Sequence, residues 1–191
     1  MKKQIVRWLI DKNCIVEEDA ELYEYALGNI LFIVLPFLGG IVEGIIMGDV
    51  LSSLFIILSF VTIRRSSGGF HSKSSVLCLI SSTIIMIASY FVPRLVSRPL
   101  IIVYITIIAG GVIALLSPVE NRIKPLMEYE KRRNKKKAIV LVSVWISVEI
   151  FLYWIDCKTY CVNIATGILL VMCMQLLCIP EIIKKRRRDI L

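Results

Sequence analysis

The chain holds one histidine, His71, and seven residues after it one of six cysteines, Cys78. Both lie in the polar stretch Arg64-Arg65-Ser66-Ser67-Gly68-Gly69-Phe70-His71-Ser72-Lys73-Ser74-Ser75-Val76-Leu77-Cys78, between two long apolar runs. A cysteine attacks carbonyl carbon as thiolate, and a free thiol with a pKa near ~8.5 is mostly protonated at neutral pH. A neighbouring imidazole and the positive end of a helix both lower that value. Ser72, Ser74 and Ser75 are helix N-cap residue types. With Ser75 as the cap, Cys78 falls on the third helical position, where backbone N–H groups are unpaired. Those N–H groups, or the guanidinium groups of Arg64 and Arg65, would stabilise an oxyanion. The stretch reads as a Cys/His nucleophile pair at a membrane–water boundary.

Spacing constrains that pair. In one continuous helix His71 and Cys78 would share a face but sit about 10 Å apart along the axis. A nucleophile and its base must meet within about 3 Å. The chain is therefore expected to fold back between them, and Gly68-Gly69 supplies the freedom for the reversal. By itself the pattern has little specificity: a lone histidine also serves at headgroup level or in packing, and a lone cysteine as an apolar filler.

The elements that would carry the pair are membrane helices. Of 191 residues, 57% are hydrophobic, and the mean hydropathy is +0.78. A soluble domain of this length is nearer half apolar and interrupts its apolar runs more often. Six runs are read, over roughly 27–47, 50–63, 75–92, 99–117, 138–155 and 162–179. The second is short for a span of about 20 residues; it either borrows length from its neighbours or pairs tightly with the first. The expected fold is all-α, a polytopic membrane protein with about six transmembrane helices, forming a single domain over 1–191. Within it, 1–26 form an N-terminal segment, 64–78 the loop and start of the third span, 118–137 a basic loop and 181–191 a basic tail. In residues 2–15, Ile5, Trp8 and Leu9 share one helical face ringed by Lys2, Lys3, Arg7, Asp11 and Lys12. That pattern fits an amphipathic helix in the membrane interface, or equally a short cap on the bundle. No signal-peptide apolar core with a small-residue cleavage site is expected at the N-terminus.

Charge sets the expected orientation. With six spans and both termini cytoplasmic, every Lys and Arg of the 23 falls on the inner side except Arg94, Arg98 and Lys158. This asymmetry requires an even number of spans and puts His71 and Cys78 on the cytoplasmic side of a cell membrane. The net charge of +8 is thereby explained without nucleic acid, and the basic run has only Tyr129 as an aromatic beside it. Cys14, Cys78, Cys157, Cys161, Cys173 and Cys178 fit no zinc spacing, and one histidine excludes a His-rich metal site. No metal or other cofactor is called for. Cys157, Cys161, Cys173 and Cys178 read as packing residues, with a Cys157–Cys161 disulfide as a weaker alternative.

The stretch resembles the accessory gene regulator B (AgrB) family of membrane cysteine endopeptidases. The likeness covers Arg64-Arg65, Gly69, His71, Ser74-Ser75 and Cys78 in order and spacing. It continues through Ser117-Pro118-Val119-Glu120-Asn121 and Lys124-Pro125, and length, hydropathy and the basic loop agree. The resemblance implies maturation of an AgrD-like quorum-sensing propeptide: Cys78 attacks at the C-terminal side of the signal segment, and an acidic fragment leaves. A cysteine or serine of the substrate then displaces the thioester to give a cyclic (thio)lactone autoinducing peptide. It also implies that His71 acts as general base and then acid, and that Arg64 and Gly69 support the site, with Arg65 and Ser75 beside them.

Glu120 is a candidate orienting group, or else pairs with a cation such as Lys124. Lys131, Arg132, Arg133, Lys135 and Lys136 read as topology determinants; anionic membrane lipid or the acidic substrate tail is the functional alternative. Glu149 is an acid inside the fifth run, a functional-site candidate by default, here read as structural near the outer interface. Asn163, Thr166 and Gln175 are placed to hydrogen-bond to it or across helices. A homodimer stays open, since two copies would build a larger sheltered site. The rival readings are a non-enzymatic small membrane transporter or peptide-export partner, and a membrane acyltransferase acting on a lipid-linked substrate.

Overall fold

The computed structural model describes residues 2–12, 14–68, 84, 87–93, 95, 96, 98–119 and 127–179. They are almost wholly α-helical. Residues 1–39 and 40–191 form two compact units, the division falling inside the second helix.

In the first unit, α1 (Lys2–Asp11) leaves Ile5 and Trp8 exposed. A 3-10 turn, Glu17–Asp19, leads into α2 (Ala20–Met47). That helix starts ahead of the apolar run because Glu21 belongs to its first turn, where a carboxylate complements the unpaired N–H groups.

The second unit opens with a tight turn. The Asp49 N–H donates to the Gly44 carbonyl at 2.9 Å, closing α2. The Asp49 carboxylate then caps α3 (Val50–Ser67), accepting from the Ser52 N–H at 3.0 Å and the Ser52 hydroxyl at 2.5 Å. The run expected to stop at Arg64 continues as helix through Ser67, since arginine and serine in a last turn do not break a helix and cations there suit its negative end. The second run thus gains its missing length from its polar flank.

Helix α4 (Pro99–Leu116) begins at a proline, tolerated where no intrahelical N–H bond is lost, and ends before Ser117-Pro118, joined by a cis peptide. Helix α5 (Glu128–Trp154) is capped by Glu130, whose carboxylate accepts from the Met127 N–H at 3.1 Å. The basic stretch 128–137, expected within a loop, is the first part of this helix, continuous with its apolar remainder. Helix α6 (Lys158–Leu176) follows a turn with Asp156 at positive φ. Cys157 and Cys161 are both free thiols, so the alternative of a disulfide between them is not realised; Cys161 is buried, Cys173 exposed.

Four of the described helices, α3 to α6, are long and apolar enough to cross a membrane, and Phe37–Met47 is a shorter apolar stretch. Within a bilayer such helices satisfy their own backbone groups. Helix α6 is central: more than half of its span is buried, and it packs on α3, α4 and α5. Ile63, Ala109, Ile113, Val142, Ile164, Ile168 and Val171 form the core from all four helices. Between α3 and α6 the backbones nearly touch at Gly167, where any Cβ would run into the Ser59 hydroxyl and the Ile56 carbonyl. The Trp145 indole N–H donates to Thr62 Oγ1 at 2.9 Å, fastening α5 to α3.

The same contacts give direction. Phe55 stacks near Tyr160, Gly167 sits against Ser59, and Gln175 reaches Ser67, so α3 and α6 run parallel. The end of α4 meets the end of α6 through Ser117, and α5 runs the opposite way, its Trp145 at Thr62 late in α3 and its Glu149 near Cys161 early in α6. The last turns of α3, α4 and α6 therefore converge at the end of the bundle from which α5 starts. Tyr90, in the helical stretch 87–93, donates from its hydroxyl to the Met47 carbonyl at 3.1 Å, at the other end.

Candidate active site

Arg64 stands on the last turn of α3. Its guanidinium lies over the Phe60 ring, 5.3 Å from the centroid, and meets the Met174 sulfur of α6. A cation held against an aromatic face and a soft sulfur at a helix C-terminus is favoured by ring quadrupole and helix dipole together. Arg65, the next residue, is exposed.

Helix α3 ends at Gly68, with φ 73° and ψ −162°, a conformation accessible essentially to glycine alone. Its N–H donates to the Arg64 carbonyl at 3.0 Å. A Cβ at this position would overlap the Val119 carbonyl oxygen. Gly68 and Val119 form a parallel β-bridge, and the Val119 N–H donates to the Ser67 carbonyl at 2.9 Å. The first residue beyond α3 thus pairs with the chain leaving α4 at Val119.

Gln175 closes this junction from α6. Its Nε2 donates to the Ser67 carbonyl at 3.1 Å and to the Ser117 hydroxyl at 3.0 Å. Ser67 and Gln175 are fully buried, and Ser117 and Val119 nearly so. Gln175 Oε1 meets no donor among the described residues. In such a dry place each satisfied hydrogen bond adds about 0.5–1.5 kcal/mol and a lost partner costs about 1–3 kcal/mol. The junction is therefore a specific three-way joint rather than loose apolar packing.

Of the residues singled out in the sequence, Gly69, His71, Ser75, Cys78 and Glu120 lie outside the described residues, as do most of the third run and the tail 181–191. What is described is the anchorage on both sides: Arg64 to Gly68 leading toward His71, and Ser117 to Val119 leading toward Glu120. Gly68, Ser117 and Gln175 carry more of that anchorage than their sequence neighbourhood indicated. The one signal for Gln175 was an amide inside an apolar run.

The basic residues project from the start of α5. Arg132, Arg133, Lys135, Lys136 and Lys137 are exposed. Lys131 pairs with Glu128 at 3.0 Å, and Arg133 lies over the Tyr129 ring. They sit at the same end of the bundle as the joint. Glu149 is fully buried toward the other end. Thr106 stands beside it but donates to its own Ile102 carbonyl at 2.9 Å, so neither Glu149 oxygen has a hydrogen-bond donor among the described residues. Thr166 bonds to the Val162 carbonyl on its own helix, and the amide of Asn163 is buried without a described partner. Of the expected polar bridges only Gln175 crosses helices, and it does so at the far end from Glu149.

The accessory gene regulator B family model matches residues 2–179. Two AgrB-like proteins of Clostridium perfringens are similar to the chain. One is 25% identical over 184 residues, covering 88% of this chain and 86% of its own length. The other is 23% identical over 167 residues, covering 79% and 78%. The accessory gene regulator protein B of Staphylococcus saprophyticus is 30% identical over 103 residues, about half of each chain. No solved structure matches. With a family match running from α1 to the end of α6, the chain belongs to the accessory gene regulator B family.

Proposed function

We propose that this protein is a membrane cysteine endopeptidase that cuts an AgrD-type propeptide and closes its signal segment into a ring. The observation that carries the reading is the family match over residues 2–179, a range that spans His71 and Cys78. His71 takes the proton from Cys78, and the thiolate adds to the carbonyl at the C-terminal end of the signal segment. The C–N bond breaks, His71 returns the proton to the leaving amine, and the acidic C-terminal fragment departs. An internal thiol or hydroxyl of the bound acyl peptide then attacks the thioester, forming the (thio)lactone and releasing Cys78 as thiol. Excluding water favours ring closure over hydrolysis.

Six crossings with both termini cytoplasmic agree with the charge asymmetry. A third crossing is supported by the chain leaving α3 at one end of the bundle and reaching Met47 through Tyr90 at the other. The exposed cations of α5 offer a docking face for the acidic tail of the substrate or for anionic lipid. The test is co-expression with a propeptide having an amphipathic helix, a cysteine-containing core and an acidic tail. Cys78→Ala and His71→Ala are expected to abolish release of the tail, and a Cys78 acyl adduct is expected in mass spectra of the wild type. Continued processing by Cys78→Ala would leave a non-enzymatic export partner as the reading.

A further inference from the structure

Gln175 does more than its surroundings require. The Ser67 carbonyl already accepts the Val119 N–H, and Gly68 and Val119 already pair. The Ser67 carbonyl is paired without a side chain, and a leucine or methionine would fill a similar volume in an apolar helix. An uncharged amide is instead present, fully buried, with both Nε2 hydrogens committed to two different chain segments. Glutamine is the side chain of that reach able to donate twice without burying a charge; glutamate lacks the donors and lysine would bring a cation. Met174, the residue before it, receives Arg64. Two consecutive residues of α6 therefore grip the last turn of α3, and one of them also grips the chain leaving α4.

We propose that Gln175 is a positioning residue for the reaction proposed above, on which this assignment rests. It holds the point where the chain departs toward His71 and Cys78 in register with the point where it departs toward Glu120. Loss of its two donors leaves the helices assembled but lets Ser67 and Gly68, from which the chain departs toward His71 and Cys78, shift, so the effect falls on thiolate formation at Cys78 rather than on substrate capture.

The experiment uses the full chain in lipid vesicles, with iodoacetamide as the probe and mass spectrometry of the Cys78 peptide as the readout across pH. The His71→Ala variant sets the rate of a Cys78 without its base, and alkylation of the exposed Cys14 serves as internal control. Gln175→Leu and Gln175→Glu are expected to slow Cys78 alkylation at neutral pH about tenfold or more, as a misplacement near 1 Å does. Their pH profile is expected to move toward that of an ordinary thiol, while Cys14 is unchanged. Gln175→Asn, which keeps both donors, is expected to recover part of the rate. With propeptide, kcat should fall while KM stays within about twofold.

A wild-type Cys78 rate and profile in Gln175→Leu, with His71→Ala slow, would overturn the positioning role and leave the proposed function standing. Cys78 alkylating equally fast with and without His71 would instead sink the function itself. Should Gln175→Leu fail to insert, Ser117→Ala removes one arm of the joint, and an unchanged Cys78 profile there also refutes the proposal.

Discussion

Arg64, Gly68 and Gln175 show how single side chains set the departure of the motif from its helix. Glycine at 68 is required twice, by a backbone conformation other residues avoid and by the Val119 carbonyl pressed against it. Gly68→Ala is expected to cost about 1–3 kcal/mol from backbone strain alone. It should lower the thermal midpoint in detergent and reduce propeptide cleavage at least tenfold, the change in rate that about 1.4 kcal/mol produces. An alanine variant with unchanged stability and cleavage would mean that the Gly68–Val119 pairing does not constrain the loop. Arg64 illustrates a different point. In the sequence it is an oxyanion candidate, and in the structure its guanidinium lies over Phe60 and meets Met174, contacts that also tie α3 to α6.

Among the helices, α5 joins two functions that the sequence separated into a loop and a span. Its charged first part is continuous with its membrane part, so Arg132, Arg133, Lys135 and Lys136 project from a rigid rod rather than from a flexible connection. For an exposed cationic face the attraction to an acidic tail is screened by salt and works mainly on encounter. Lys135→Glu with Lys136→Glu is expected to raise KM about three- to tenfold, change kcat by less than twofold, and weaken the dependence of KM on ionic strength. Steady-state cleavage in neutral vesicles between low and high salt checks this, neutral lipid removing the alternative of anionic headgroups. An unchanged KM at every salt concentration would assign these residues to topology alone. Helix α6 owes its central place to a different feature, the small residue at 167 that lets α3 approach.

For the bundle as a whole, three helix C-termini and the cationic start of α5 gather at one end. The partial negative charges of those helix ends are complemented by Arg64, Arg65 and the basic stretch. That same end carries the basic residues on which the proposed orientation rests, so the topology proposal and the site proposal stand or fall together. A cysteine placed at Lys136 is expected to react with a membrane-impermeant maleimide only after the membrane is opened. One placed at Asp156 is expected to react in intact cells. Labelling of both from the same side would break the six-span reading and its cytoplasmic site together.

Much was open to reading from residue order. Apolar runs reported the helices because a bilayer-length helix must be apolar along its length, and α4, α5 and α6 fall close to the runs that announced them. The second run was misjudged at its end because hydropathy sees Arg64 and Arg65 as a boundary, whereas the backbone continues hydrogen-bonding through them to Ser67. The basic stretch at 128–137 was read as loop for the same reason. The types and order of His71 and Cys78, and the family they belong to, were determined by the sequence itself, because chemistry of that kind is written in short motifs. Only the tertiary structure decided that Ser67, Ser117 and Gln175, more than a hundred residues apart at the extremes, share one dry hydrogen-bonded joint. No local pattern can encode that, since the partners of a buried amide are chosen by which helix ends the packing of α3, α4 and α6 brings together.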